Sequence, residues 1–416
     1  MACNPGHMQP PVHPARLGFD ATRLGRLDRH FARYVDDGRL AGWQLSVARH
    51  GETVHAATGG MRDAEAGLPV EPDTMWRLYS MTKPVTSVAA MSLWEEGAFE
   101  LTDPVSAWIP SFADLRVYEK GSAQRPFTVP AVEPVRVWHL LTHTAGLTYG
   151  FLHTSVVDAL YRSAGYEWGA PPGADLAAAC DGWASLPLLF QPGSAWGYSV
   201  ATDVLGRLLE VVTGTPLDAV LRDRVLAPLG MPDTAFWADG ADRARRLARL
   251  YTPDPQTGRA RRLDSMGDVA LARPAFLSGG GGLVGTAADY QRFTSMLLGR
   301  GELDGVRLLG SRTVDLMARN ALPGGRDLAA VTTGGFAETT FEGVGFGLGF
   351  AVVRDPLALR THATPGEFFW GGAASTAFWV DPVEGITAHF FTQLLPSSAY
   401  PIRPQLRQLV YSALVD

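Results

Sequence analysis

The chain has 416 residues, of which 46% are hydrophobic and 19% charged, and its formal net charge is −6. That profile belongs to a globular protein with enough length for a large core, and without a run of five or six like charges it argues against a nucleic-acid arm or a polybasic membrane patch. No window of 18 uncharged apolar residues spans a bilayer, and the first twenty residues carry no apolar leader core, so the expectation is a cytoplasmic protein with no membrane partner.

Residues 1–18, rich in Pro and His, read as a mobile tail. Residues 20–37 read as an amphipathic helix, with Asp20 as N-cap, Leu24, Leu27, Phe31, Tyr34 and Val35 on one face, and Gly38 as the stop. Two β-type runs, 43–48 and 53–57, flank His50-Gly51-Glu52 as a hairpin. An extended segment, 75–79, leads into an apolar helical run, 81–96, ended by Gly97. The stretch from about 100 to 290 is mixed and rich in helical segments such as 201–213 and 287–298. Strand patterns follow at 344–353, 375–380 and 386–392, and a helix at 402–415 closes the chain. A sheet built from both ends of the chain and flanked by terminal helices makes the middle an inserted domain.

Only two of the 36 basic residues are lysines, Lys83 and Lys120. Lysine can be tuned by burial to give up its proton, and arginine cannot. Lys120 reads as a loop charge. Lys83 closes the tetrad Ser80-Met81-Thr82-Lys83 at a strand-to-helix junction, where i and i+3 share a face and the amine can approach the hydroxyl. The helix start also offers unpaired N–H groups to a developing oxyanion. The plain alternative makes Ser80 an N-cap and Lys83 a snorkelling charge, and the tetrad alone is a weak signal. Tyr198, in Pro192-Gly193-Ser194-Ala195-Trp196-Gly197-Tyr198-Ser199, stands at a helix entrance. A phenol titrates near pH 10, so taking a proton at neutral pH costs roughly 4 kcal/mol unless a cation such as Lys83 supplies it. Trp370-Gly371-Gly372-Ala373, read as the approach to the strand 375–380, lets backbone come close to a ligand and offers an N–H for an oxyanion. Taken singly, each of these is also an ordinary packing or turn element.

As an ordered set, SMTK, LLTHTAGL (140–147), PGSAWGYS, FLSGGGGLVGTAADYQRF and WGG resemble the serine β-lactamase and penicillin-binding-protein superfamily. Within it the chain is similar to the carboxylesterases related to class C β-lactamases, the family VIII esterases, from the first helix to the last. The resemblance implies an α+β fold, an antiparallel sheet flanked by helices beside a mostly helical inserted domain. It divides the chain into the tail 1–18, a sheet domain of 19–83 and 291–416, and a helical domain of 84–290 bearing active-site loops. It implies Ser80 as nucleophile, Lys83 as proton shuttle, Tyr198 as general base and acid, and the N–H groups of Ser80 and Ala373 as oxyanion hole. It implies no cofactor or metal and a small-molecule ester as partner. Two departures from the β-lactamase pattern stand out. Val200 replaces the asparagine two residues after the tyrosine, and Trp370-Gly371-Gly372 replaces Lys-Thr-Gly. An apolar wall at Trp370 and a Val200 unable to bond an amide point from charged lactams towards neutral esters, and short-chain ones are expected.

The same apparatus also suits a β-lactamase, a D-aminopeptidase or an acyltransferase, and a non-catalytic binding protein on this fold predicts loss of a residue that is present here. Gly197-Tyr198-Ser199-Val200-Ala201 nearly matches an α/β-hydrolase elbow with Ser199 as nucleophile, but no buried strand precedes it. Gly280, Gly282 and Gly285, with Asp304 further on, fit a dinucleotide fingerprint by spacing alone; a backbone-lined wall beside the site is the simpler reading. His139 and His143 have metal-ligand spacing without a third ligand, so packing or hydrogen bonding is expected of them. Arg245, Arg246, Arg249, Arg259, Arg261 and Arg262 alternate with aspartates and read as a solvated face. Cys3 and Cys180 give no disulfide framework.

Overall fold

The computed structural model describes residues 11–333 and 342–416. An eight-stranded antiparallel sheet organises the molecule. It begins with β1 (Gly42–Arg49), β2 (Glu52–Asp63) and β3 (Leu68–Pro69). The other five strands are Val344–Phe346, Ala351–Val353, Phe368–Gly371, Ala377–Asp381 and Ile386–Phe391, laid side by side in chain order until the last pairs with β1. Residues 84–290 give no strand to this sheet. The β1–β2 turn has positive φ at both His50 (52°) and Gly51 (84°), the mirror-image turn whose twist suits a tight hairpin.

Alternation along Ile386–Phe391 sends neighbouring side chains to opposite faces. Phe390 meets Phe31 of α1 (Ala21–Asp36), ring centroids 4.5 Å apart, on the face that α1 covers with the closing helix Ile402–Tyr411. His389 and Phe391 turn the other way, towards Tyr290 of the helix Ala287–Leu298. Each fully buried aromatic of this kind contributes roughly 1.5–3 kcal/mol. α1 is capped as its sequence predicts, with Asp20 accepting from the Arg23 N–H at 2.8 Å, and it buries Leu24, Leu27, Phe31 and Tyr34.

Three readings change. The run 344–353 is two strands joined by a turn, because Gly349 sits at φ 99° where an added Cβ would lie 2.3 Å from Ser87 Oγ of α2 (Thr82–Glu95). Trp370 and Gly371 end a strand of their own, and the following strand starts at Ala377 rather than Ser375; Gly372–Thr376 is the turn between them. Of the stretch read as a tail, residues 11–18 are docked: the Val12 N–H reaches Thr53 O at 2.9 Å and Leu17 O accepts from Arg49. Residues 1–10, Cys3 included, lie outside the described residues. Cys180 is buried as a free thiol in the helix Leu176–Ala184. Arg245, Arg246, Arg249 and Arg262 are ion-paired with aspartates. Lys120 lies exposed on a separate hairpin, Arg116–Ser122 with Arg125–Pro130, over the Phe127 ring. Among the described residues no helix is long and apolar enough to cross a membrane.

Candidate active site

Ser80 stands in a single 3-10 turn, Tyr79–Met81, wedged between β4 (Met75–Arg77) and α2. The turn is held from several sides. β4 pairs with Val284–Thr286, the Leu78 N–H reaches Leu283 O at 2.9 Å, and Tyr290 Oη donates to Met81 O at 3.0 Å. Tyr79 is forced to φ 46°, a conformation that costs a side-chain-bearing residue about 1–2 kcal/mol and that clusters at functional sites. The result presents a half-buried Ser80 at the edge of a cavity of about 720 Å³.

Lys83, one turn further along, is 2% exposed. Its ammonium lies 3.4 Å from Ser80 Oγ and donates to Tyr149 Oη at 2.9 Å and to Gly280 O at 2.7 Å. It also sits 4.6 Å from the centre of the Tyr198 ring. Tyr198 Oη is 2.6 Å from Ser80 Oγ. The Tyr198 ring is fixed by Trp196, His143, Tyr149 and Trp370, with centroids 5.2–6.2 Å away. Tyr198, 118 residues beyond Ser80 in sequence, thus shares one hydrogen-bonded cluster with Ser80 and Lys83.

Gly280, Gly281 and Gly282 form a backbone wall of the cavity. Buried Asp203, on the helix Ala201–Thr213, holds that wall by accepting from Ser278 Oγ at 2.6 Å and from the Gly280 N–H at 2.9 Å. Burial raises the Asp203 carboxyl above its usual range, opposed by the Lys83 charge. Burial also pushes the Tyr149 phenol well up, helped by Asp203 and Tyr198, so it remains a phenol. Tyr149 and Asp203 are site residues that the motifs do not mark. Local pattern gives no signal for them: Asp203 shares its helix face with Arg207 and Glu210 and reads as one more polar position.

Ala373, at the tip of the turn 372–376, lines the cavity with Ser80 and Val200. Among the described residues, neither the Ser80 nor the Ala373 N–H has a backbone partner outside its own turn. Trp370 does not form the apolar wall expected of it, and Gly371 and Gly372, expected to bring backbone close to a ligand, are not among the residues lining the cavity. Trp370 is buried behind Tyr198 and packs edge-on to Phe346, and Gly372 lies under the Leu78 carbonyl. The cavity's aromatic lining comes instead from Tyr149, Phe151, Trp168, Trp183, Phe236 and Phe276.

The rival nucleophile, Ser199, is 1% exposed and outside the cavity. It meets His143 Nδ1 at 3.1 Å, but burial and the nearby Lys83 hold that imidazole well below its ordinary pKa. His139 Nδ1 accepts from the Arg136 N–H, and among the described residues no group of three or more potential metal ligands gathers.

A profile of the family described as Beta-lactamase matches residues 27–412. Protein Rv1367c of Mycobacterium tuberculosis is 38% identical over 364 residues, covering 87% of this chain and 88% of its own. Esterase EstB of Burkholderia gladioli is 34% identical over 422 aligned positions, covering 96% and 98%. Among solved structures, EstCE1, described as a hydrolase with promiscuous acyltransferase activity, superposes with a TM-score of 0.77 at 29% identity, over 95% of this chain and 99% of that one.

Proposed function

The chain belongs to the beta-lactamase family and is a serine hydrolase acting on esters, and from that premise we propose a carboxylesterase that turns over neutral, short-chain esters through an acyl-Ser80 intermediate. The observation that carries this reading is the 2.6 Å contact between Ser80 Oγ and Tyr198 Oη, with the Lys83 ammonium beside both, at the edge of an apolar cavity. Tyr198, biased by the Lys83 charge, takes the Ser80 proton as Oγ attacks the ester carbonyl. The N–H groups of Ser80 and Ala373 receive the oxyanion. Collapse expels the alcohol, reprotonated from Tyr198, and water then releases the acid by the reverse route. Val200 and the aromatic lining favour an uncharged substrate, and no metal or organic cofactor enters these steps. Activity lost to a chelator and restored by zinc would overturn them.

The direct test is hydrolysis of p-nitrophenyl acetate, butyrate and octanoate by the wild type, Ser80→Ala and Ser199→Ala, with nitrocefin alongside. Activity lost only in Ser80→Ala, falling with chain length and far above nitrocefin turnover, supports the reading. Loss only in Ser199→Ala moves the nucleophile. EstCE1's described acyltransferase activity favours a second use of the same intermediate, capture by an alcohol in place of water. Added butanol then yields butyl ester at the expense of acid.

A further inference from the structure

Four aromatic rings step outward from the nucleophile. Tyr198 touches Ser80, Tyr149 leans on Tyr198 (centroids 5.3 Å apart), and Phe151 stacks on Tyr149 at 4.8 Å and 25°. Trp168 then stacks on Phe151 at 5.0 Å and 10°, and is 62% exposed. Phe276, which packs beside Gly169, and the 64% exposed Val269 line the same cavity. A large aromatic ring left in water carries a hydration cost, and one continuous with a cavity marks a ligand groove.

The direction of the stack says which half of the substrate it meets. It starts at Tyr198, the group that returns a proton to the leaving oxygen in the reading above, so what extends along it is the alcohol portion. We infer that Trp168, backed by Phe151 at the exposed end of the stack, offers a flat shelf that selects esters whose alcohol carries a planar aromatic ring system; this rests on the esterase reading. Stacking is made equally in the bound substrate and the transition state, so it lowers KM and leaves kcat alone.

The test compares 2-naphthylmethyl acetate, ethyl acetate and ethyl 2-naphthoate in the wild type, Trp168→Ala and Trp168→Phe. Trp168→Ala is expected to raise KM for 2-naphthylmethyl acetate about five- to tenfold, with kcat within about twofold and ethyl acetate unaffected. Trp168→Phe is expected to keep most of the wild-type KM. Equal losses on ethyl acetate, no loss at all, or a loss confined to ethyl 2-naphthoate would each overturn the shelf. Calorimetric titration of 2-naphthylmethanol into Ser80→Ala, with and without Trp168→Ala, reads the shelf without turnover. Weaker binding in the double variant supports it and equal binding removes it, even if the wild type hydrolyses none of the esters.

Discussion

At the scale of single residues, the proposed mechanism divides the work of the cluster between a proton carrier, Tyr198, and a fixed charge, Lys83. Tyr198→Phe removes the hydroxyl that lies 2.6 Å from Ser80 Oγ, while leaving the ring in its aromatic cage. It is expected to lower kcat on p-nitrophenyl butyrate by on the order of 10²–10⁴-fold with KM little changed, as steady-state kinetics will show. A second prediction concerns acid. His389 is buried between Ser46 Oγ and Thr294 Oγ1, and burial lowers its pKa to about 3; His139 is lowered to about 4. Between those values and about 6.5 only the unfolded chain binds these protons. Their contribution is therefore full above pH 6.5 and is lost as pH falls towards 3. Urea midpoints measured from pH 7 to pH 4 should decline, and His389→Asn should flatten the decline. Ser80, Lys83 and Tyr198 were legible because each sits in a motif with local spacing. Tyr149 and Asp203 were not, because their roles exist only once the Gly280 carbonyl and the Lys83 amine meet in space.

At the scale of elements, the active-site edge is set by backbone packing that hydrophobic patterning does not encode. The turn after the strand Phe368–Gly371 approaches the Ser80 turn so closely that a Cβ on Gly372 would lie 2.4 Å from Leu78 O and from Thr376 Oγ1. Gly372→Ala should therefore part the two turns and cost about 10²-fold in kcat/KM, with a much smaller change in thermal midpoint. An equal collapse of both would show that the glycine serves folding alone. The loop carrying Tyr149 and Phe151 is tied differently. Asp158, in the first turn of the helix Val156–Ser163, accepts from Thr148 Oγ1 at 2.7 Å and from the Thr154 and Ser155 N–H groups at 2.8 and 3.0 Å. Helices and hairpins with strong local signals, such as 201–213, 287–298 and the turn at His50-Gly51, were readable from the chain. The break at Gly347–Phe350 was not, since the sequence there is apolar throughout and the bend answers to Ser87 on α2.

At the scale of the whole molecule, the chain's two ends complete one sheet and are sewn to each other. The Asp20 N–H reaches Ala413 O, the Val415 N–H reaches Gly18 O, and Arg49 pairs with Asp416 at 2.7 Å. The closing helix is bound to the sheet by a buried charge: Arg407 pairs with fully buried Glu367, which also accepts from Tyr411 Oη at 2.6 Å. Arg407→Met leaves that carboxylate without its cation and should cost roughly 3–5 kcal/mol in urea denaturation, part of it recovered by adding Glu367→Gln. The order of helices and strands made this closure legible in outline; the ion pair beneath it joins residues forty positions apart with no local pattern. The sparing use of lysine has a practical corollary. Lys83 is sealed inside the site and Lys120 stands on an outlying hairpin, so amine-reactive chemistry finds one exposed lysine on the fold. Coupling to an activated resin would then hang every lysine-linked molecule from the same hairpin, in one orientation, with the buried Lys83 amine spared.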